Sequence, residues 1–164
     1  MAFLEAGVAA PEVALEDADG NSTSLGDQAN GDWMLAVFYK VGCGTCKFSA
    51  PYFDKIHQAY GGNGGFRVLG VSQDTPEETK AFMDEHGASF TNVYDTTHWA
   101  SSDFGLTNVP TWFLMDEGGG ILDSNTGFCR TDLNDLSKTI AGHLDEEAVV
   151  ISPGDDGAPE MKPG

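Results

Sequence analysis

A pair of cysteines separated by two residues follows directly after a stretch of apolar residues, and this order strongly constrains the fold. Trp33–Tyr39 is apolar throughout, which is typical of a strand buried on both faces in the centre of a sheet. Cys43 and Cys46 come next, and the residues from Cys46 to Tyr60 have the apolar spacing of a helix. A helix N-terminus stabilises a thiolate, which is the form of cysteine that attacks disulfides. The sequence therefore predicts a redox-active dithiol at a strand-to-helix junction.

Strand and helix patterns alternate along the rest of the chain. Apolar or alternating segments predict further strands at residues 12–15, 22–25, 66–71, 92–94, 111–115 and 121–125. Capping residues and apolar spacing predict helices at residues 46–60, 75–86, 97–104 and 131–144. This order predicts one α/β domain over residues 1–150, in which helices flank a central mixed β-sheet. Residues 151–164 are rich in Pro, Gly and Asp, so we expect an acidic, disordered tail.

The balance of charge argues against several kinds of partner. The chain has 26 Asp and Glu residues against 8 Lys and Arg residues, a net charge of −18. Such a chain repels nucleic-acid phosphates and anionic membranes. Its longest apolar run, Trp33–Tyr39, is too short to span a bilayer, and its first residues do not resemble a secretory signal. We therefore expect no nucleic-acid partner, no membrane insertion and a cytoplasmic location, or an extracytoplasmic one if an export signal has been removed.

The residues around the two cysteines resemble the active site of the thioredoxin superfamily. In the segment FYKVGCGTCKFSAP, residues 38–51, a strand leads into C-x-x-C, and Pro51 stands where the family has a helix proline. The segment Val109-Pro110-Thr111 resembles the cis-proline loop of the family. Residues 10–15 and 68–76 are similar to the redoxin branch, which includes TlpA/ResA-type thiol–disulfide oxidoreductases and AhpC/TSA proteins. This resemblance implies a thioredoxin-like fold with an N-terminal β-hairpin and an inserted helix and strand.

The resemblance also implies a role for each matching residue. Cys43 is expected to be the attacking thiol and Cys46 the resolving thiol. Val109, Pro110 and Thr111 are expected to bind substrate, with a cis peptide bond before the proline. The implied activity is thiol–disulfide exchange with protein disulfides or dithiols, together with an upstream redox partner. We expect no cofactor and no metal, because zinc usually needs four ligands and the sequence has neither a second C-x-x-C nor an H-x₃-H pattern.

Two positions depart from the thioredoxin pattern. Gly42 stands where thioredoxins have a tryptophan, and Val37 stands where they bury an acid. The proton relay that serves the resolving thiol is therefore missing from its usual place, and water, Asp74 or Glu78 is a candidate to replace it. The third cysteine, Cys129, is expected to be either a small buried residue or a further redox thiol.

Two other functions remain open for this pattern. A peroxiredoxin-like thiol peroxidase would need Thr or Ser three residues before its reactive cysteine, whereas Lys40 precedes Cys43 and Cys43 precedes Cys46 at that distance. A non-enzymatic copper carrier of the Sco type would use C-x-x-x-C with a distal histidine, and the spacing here is one residue shorter. The intact C-x-x-C argues against a module that uses the fold for binding alone.

Overall fold

The structure is a computed structural model that describes residues 3–164, and that part of the chain contains nine strands and five helices. The strands are β1 (Leu15–Glu16), β2 (Ser22–Thr23), β3 (Trp33–Tyr39), β4 (Phe66–Ser72), β5 (Thr91–Tyr94), β6 (Thr111–Met115), β7 (Ile121–Thr126), β8 (Phe128–Cys129) and β9 (Met161–Lys162). The helices are α1 (Leu25–Ala29), α2 (Gly44–Tyr60), α3 (Pro76–His86), α4 (Trp99–Asp103) and α5 (Arg130–Leu144). None of these helices combines the length and the apolar character that crossing a membrane requires.

Seven of the strands form one mixed sheet in the order β2-β1-β5-β4-β3-β6-β7. Strand β3 pairs in parallel with β4 and antiparallel with β6, so it occupies the interior of the sheet. All of its residues except Trp33 are buried, as its uninterrupted apolar sequence predicts. The structure thus confirms the expected α/β architecture with a central mixed sheet.

The register of the central strands places two distant segments of the chain side by side. The last residue of β3, Tyr39, pairs with Ser72, and Phe38 pairs with Thr111 at the start of β6. Strands β3 and β6 run in opposite directions. The loop that leaves β3 and the loop that enters β6 therefore lie at the same end of these two neighbouring strands. The first loop carries Cys43 and the second carries Pro110, so the sheet itself assembles the candidate site.

The N-terminal hairpin is present, but its second strand ends earlier than predicted. Strands β1 and β2 pair antiparallel, with Leu15 opposite Thr23. The chain then enters helix α1, in a segment for which the sequence predicts only a strand end and a polar connection. The Ser24 hydroxyl caps this helix by accepting a hydrogen bond from the backbone N–H of Asp27 at 3.1 Å, and Leu25 is buried. The inserted helix and strand that the resemblance implies correspond to α3 and β5.

The structure differs most from the sequence prediction after helix α5. Residues 151–164 are expected to be disordered, yet Ile151 and Ser152 are fully buried and Met161–Lys162 forms strand β9. The side chain of Asn134 in α5 hydrogen-bonds to the backbone of both buried residues. Composition alone misses this packing because the segment buries only a few of its own residues, such as Ile151, and polar groups of the domain supply the remaining contacts. The predicted boundary at residue 150 therefore falls inside a packed segment.

Candidate active site

Cys43 lies at the N-cap of helix α2 and is half-buried. Its sulfur accepts a hydrogen bond from the backbone N–H of Cys46 at 3.1 Å. The N-cap position therefore places this sulfur at the positive end of the helix dipole, where it accepts from one of the N–H groups that have no partner within the helix.

Cys46, one helical turn further on, is in a very different environment. Its side chain is only 2% exposed and borders an apolar cavity of about 10 Å³ that Val37, Phe53 and Pro110 help to line. Such a volume is at or below that needed to hold one water molecule. Burial raises the pKa of the Cys46 thiol, and its hydrogen bond with Cys43 raises it further. The two cysteines thus differ in access, and the Cys46 thiol is the one that burial holds in its protonated form.

The loop before β6 lies against Cys43, the expected attacking thiol. The Val109–Pro110 peptide bond is cis, as the resemblance implies. The Cys43 thiol donates a hydrogen bond to the backbone carbonyl of Val109 at 3.3 Å. Val109 and Pro110 are therefore next to the sulfur, as expected for residues of a substrate-binding loop.

Thr111 is also at the site, but its side chain faces the interior. It is 0% exposed, and its hydroxyl donates a hydrogen bond to the carbonyl of Asn108 at 2.8 Å. The same hydroxyl lies 3.1 Å from that of Thr126 on the neighbouring strand β7. The hydrogen bonds of Thr111 therefore stabilise the conformation of the loop that carries Pro110. Its buried side chain offers no surface to a substrate.

The two candidate proton carriers occupy distinct positions. The Asp74 carboxylate accepts a hydrogen bond from the backbone N–H of Val41 at 2.8 Å, in the loop that leads to Cys43. Burial is the main cause of a raised pKa at Tyr39, and Cys46 and Asp74 contribute further, so both lie within electrostatic range of this phenol. Glu78 is exposed at the start of α3, where its carboxylate accepts a hydrogen bond from the Thr75 hydroxyl at 2.8 Å. The structure thus brings Asp74 to the active-site loop and leaves Glu78 in a helix cap.

An open cleft of about 620 Å³ adjoins Cys43 on the side of helix α4. Polar residues of several loops line it, and sequence reasoning did not single them out: they include Gln73, His98, Ser101 and Asn108. Lys40, an exposed residue, lies at the same cleft. These residues come together only through the sheet topology, so no local motif could have identified them.

Cys129 is the last residue of β8 and is half-buried. It faces Met161 across the two-stranded β8–β9 ribbon. Gly127, just before this ribbon, has a φ of +71°, and a Cβ atom there would lie only 2.6 Å from the carbonyl oxygen of Lys162. Strand β8 is therefore covered by β9, which belongs to the segment that follows helix α5. In the described part of the chain, no group of three or more His, Cys, Asp or Glu residues is placed to hold a metal ion.

Comparison with known proteins places this site in a family. The model of the AhpC/TSA family matches residues 6–124, which is most of the chain. The chain belongs to the AhpC/TSA family. Relatives of two kinds are similar to it. One is the thiol–disulfide oxidoreductase ResA of Halalkalibacterium halodurans, 30% identical over 126 residues, covering 76% of this chain and 70% of the relative. Another is a Mycobacterium tuberculosis protein assigned as a peroxiredoxin, 30% identical over 133 residues, covering 73% of this chain and 83% of that protein.

A solved structure agrees with this family assignment. A Chlorobium tepidum protein assigned as the thiol:disulfide interchange protein DsbE superposes with a TM-score of 0.74 at 29% identity. The match covers 86% of this chain and 99% of the other. The fold of this family member is thus thioredoxin-like. With its adjacent Cys43 and Cys46, the chain is an oxidoreductase of the thiol–disulfide class.

Proposed function

We propose that this chain exchanges electrons with protein disulfides, with Cys43 as the attacking thiol and Cys46 as the resolving thiol. The observation that carries the proposal is the contrast between the two sulfurs. Cys43 is half-buried at a helix N-cap, whereas Cys46 is buried beneath it with a raised pKa. An accessible thiolate followed by a protected second thiol is the order in which a disulfide is first attacked and then released.

The exchange proceeds in two balanced steps. The Cys43 thiolate attacks one sulfur of the substrate disulfide, so that a mixed disulfide forms and the other substrate sulfur leaves as a thiolate that takes up a proton. Cys46 then loses its proton and attacks the sulfur of Cys43. The mixed disulfide breaks, the second substrate thiol leaves, and the chain retains a Cys43–Cys46 disulfide. Two electrons have passed to the substrate, and an upstream dithiol must supply two electrons to restore the pair.

Val109 and Pro110 form the loop against which the substrate segment docks, and Thr111 positions that loop. The carbonyl of Val109 is already 3.3 Å from the sulfur of Cys43, so a backbone that approaches this loop brings its own sulfur close to the nucleophile. The proposed substrates are protein disulfides or dithiols. The proposed compartment is the cytoplasm, or an extracytoplasmic one if an export signal has been removed, and cell fractionation distinguishes the two.

A single-turnover comparison tests this function against its main rival. Reduced protein, freed of excess reductant, is mixed separately with insulin and with hydrogen peroxide, and formation of the Cys43–Cys46 disulfide is followed by mass spectrometry. We expect the reaction with insulin to be faster, by roughly tenfold or more at equal concentration. The reason is that the residue three before Cys43 is the exposed Lys40, which has no hydroxyl group. Fast turnover of peroxide through a cysteine sulfenic acid, with slow reduction of insulin, would instead indicate a thiol peroxidase of the kind assigned in the mycobacterial relative.

Asp74 is the proposed acceptor of the Cys46 proton, directly or through water. The thiol must ionise before it can attack, and burial raises its pKa, so the second step depends on a nearby base. In Asp74→Asn the amide oxygen can still accept the hydrogen bond from Val41, but the side chain cannot take up a proton. We expect the mixed disulfide to persist at least about tenfold longer, with little change in the first step, as measured by stopped-flow and acid quench.

Glu78→Gln is the matched control for this experiment. It also removes one carboxylate, but from an exposed helix cap, so we expect the lifetime of the mixed disulfide to stay near that of the wild type. Equal lifetimes in Asp74→Asn and the wild type would assign the proton transfer to solvent alone.

A further inference from the structure

The segment that follows helix α5, residues 145–164, runs back across the domain and is held at two places. At the first, the amide of Asn134 accepts hydrogen bonds from the backbone N–H groups of Ile151 and Ser152, each at 2.9 Å. It also donates one to the carbonyl of Ser152 at 2.9 Å. Because Ile151 and Ser152 are fully buried, this first attachment is part of the domain core.

The second attachment is formed by Arg130 at the start of α5. Its guanidinium group binds the carboxylates of Asp156 at 2.9 Å and Glu160 at 3.3 Å, and it donates to the carbonyl of Ala158 at 2.6 Å. Hydrogen bonds from Ser152 and from the backbone of Ala158 lower the pKa of Asp156 to about 2, so this carboxylate is charged at neutral pH. The two attachments fix the direction in which the chain leaves Glu160.

From Glu160 the chain enters the groove beside the two cysteines. Strand β9 pairs antiparallel with β8, with Met161 opposite Cys129 and Lys162 opposite Phe128. The hydroxyl of Thr45, which lies between the two cysteines in the sequence, donates a hydrogen bond to the carbonyl of Pro163 at 2.5 Å. The late segment thus contacts the active-site helix directly.

Gly164 contacts the loop that carries Pro110. A Cβ atom on Gly164 would lie 2.7 Å from the carbonyl oxygen of Val109, so the two backbones are in close contact. The amide of Asn108 donates to the carbonyl of Gly164 at 3.4 Å. The same Val109 carbonyl accepts the hydrogen bond from the Cys43 thiol, and Gly164 and Cys43 line the same cleft, so this end of the segment lies beside the attacking sulfur.

We propose that residues 161–164 occupy the groove in which the extended segment of a substrate protein docks, and that they compete with substrate from within the same chain. The inference rests on the proposed exchange with protein disulfides. The contacts are backbone pairing with an edge strand and hydrogen bonds to backbone carbonyls, and any extended peptide can supply these whatever its sequence. The groove therefore fits an extended peptide, and the chain supplies its own.

The contacts that residues 161–164 make are weak enough for a substrate to displace them. The side chain of Met161 is 68% exposed, and Lys162 contributes an ammonium group 5.7 Å from the ring centre of Phe48. The attachments at Asn134 and Arg130 lie outside the groove, so residues 161–164 can leave while the rest of the segment stays in place. A short, exposed strand of this kind opens at a small fraction of the global unfolding free energy. Its tether keeps its effective concentration high, so it returns whenever the groove is free.

A truncation that ends the chain after Glu160 tests the proposal. It removes the strand in the groove and keeps the contacts of Arg130 with Asp156 and Glu160. If the groove is open in about a tenth of the full-length molecules, its removal lowers the KM for a protein disulfide about tenfold and leaves kcat near its original value. A synthetic peptide of residues 158–164 should raise the KM of the truncated protein again without lowering kcat. Lys80→Ala is the control for the lost positive charge, since Lys80 is exposed on α3 and pairs only with Asp84 in the described structure.

A second measurement separates this inference from the proposed function. The rate at which a peptide-linked maleimide labels Cys43 is compared between the full-length and truncated proteins. We expect faster labelling after truncation, because the same groove admits the peptide. If both chains reduce protein disulfides with the same KM, the proposed function stands and the competition is overturned. If neither chain reduces protein disulfides, the function fails, and equal labelling rates would then overturn the occupancy of the groove as well.

Discussion

Replacing Cys46 by serine is expected to turn the protein into a trap for its substrates. The Cys43 thiolate can still attack, because its N-cap position and its access do not depend on the sulfur of Cys46. Serine cannot attack the mixed disulfide at neutral pH, so the covalent complex persists. Non-reducing electrophoresis followed by mass spectrometry should find Cys43 joined to cysteines of substrate proteins, and turnover of insulin should fall to background.

Cys43→Ser should give the opposite pattern. The protein then lacks its accessible thiolate, while Cys46 is only 2% exposed and its pKa is raised by burial. We expect disulfide reduction to fall by roughly 10³-fold or more, with no trapped complexes at residue 46. The double variant Cys43→Ser/Cys46→Ser is the matched control, because any complex that it still forms comes from Cys129. Trapped substrates on Cys46 in the Cys43→Ser protein would reverse the assigned roles.

The part of the site that sequence could predict is the part that local signals determine. The apolar run of β3, the two cysteines and the start of α2 follow one another within 14 residues, and each has a recognisable pattern. Helix α3 is equally local, since Thr75 accepts a hydrogen bond from the backbone of Glu78, as a capping residue should. The loop at Pro110 is distant in sequence, and only the family resemblance connected it with the cysteines.

The rest depends on contacts between distant residues, which composition does not report. Thr45 and Pro163 are 118 positions apart, and nothing in either neighbourhood indicates that they hydrogen-bond. The segment after α5 has few apolar residues, so its composition predicts disorder, yet Asn134 and Arg130 supply the partners that its backbone needs. A proline- and aspartate-rich segment can therefore be ordered when half-buried polar side chains elsewhere in the domain hydrogen-bond to it. Helix α1 was missed for a different reason: it is only five residues long, and its local signals are limited to the cap at Ser24 and one buried residue, Leu25.

The reactivity of the two thiols should differ by a large factor in the reduced protein. At limiting iodoacetamide near pH 7.5, Cys43 should be labelled at least about a hundredfold faster than Cys46, as measured by quantitative mass spectrometry. Two effects combine: burial excludes the reagent from Cys46, and each unit of raised pKa lowers its thiolate fraction tenfold. Labelling in denaturant provides the control, because both cysteines then approach equal rates. Comparable rates in the native protein would show that Cys46 is not protected.

The same raised pKa makes the stability of the reduced protein depend on pH in a defined direction. Folded Cys46 keeps its proton above pH 9, near its ordinary pKa, whereas the unfolded chain loses it. The stabilisation is therefore complete below about pH 9 and is lost as the pH rises, with a slope of up to about 1.4 kcal/mol per pH unit. Tyr39, whose pKa burial also raises, adds a slope of the same sign. Urea unfolding of the reduced wild type and of reduced Cys46→Ala between pH 8 and 10.5 separates the two, because Tyr39 is present in both proteins. A steeper loss of stability in the wild type is the expected result, and parallel curves would mean that Cys46 ionises in the folded protein as readily as in the unfolded chain.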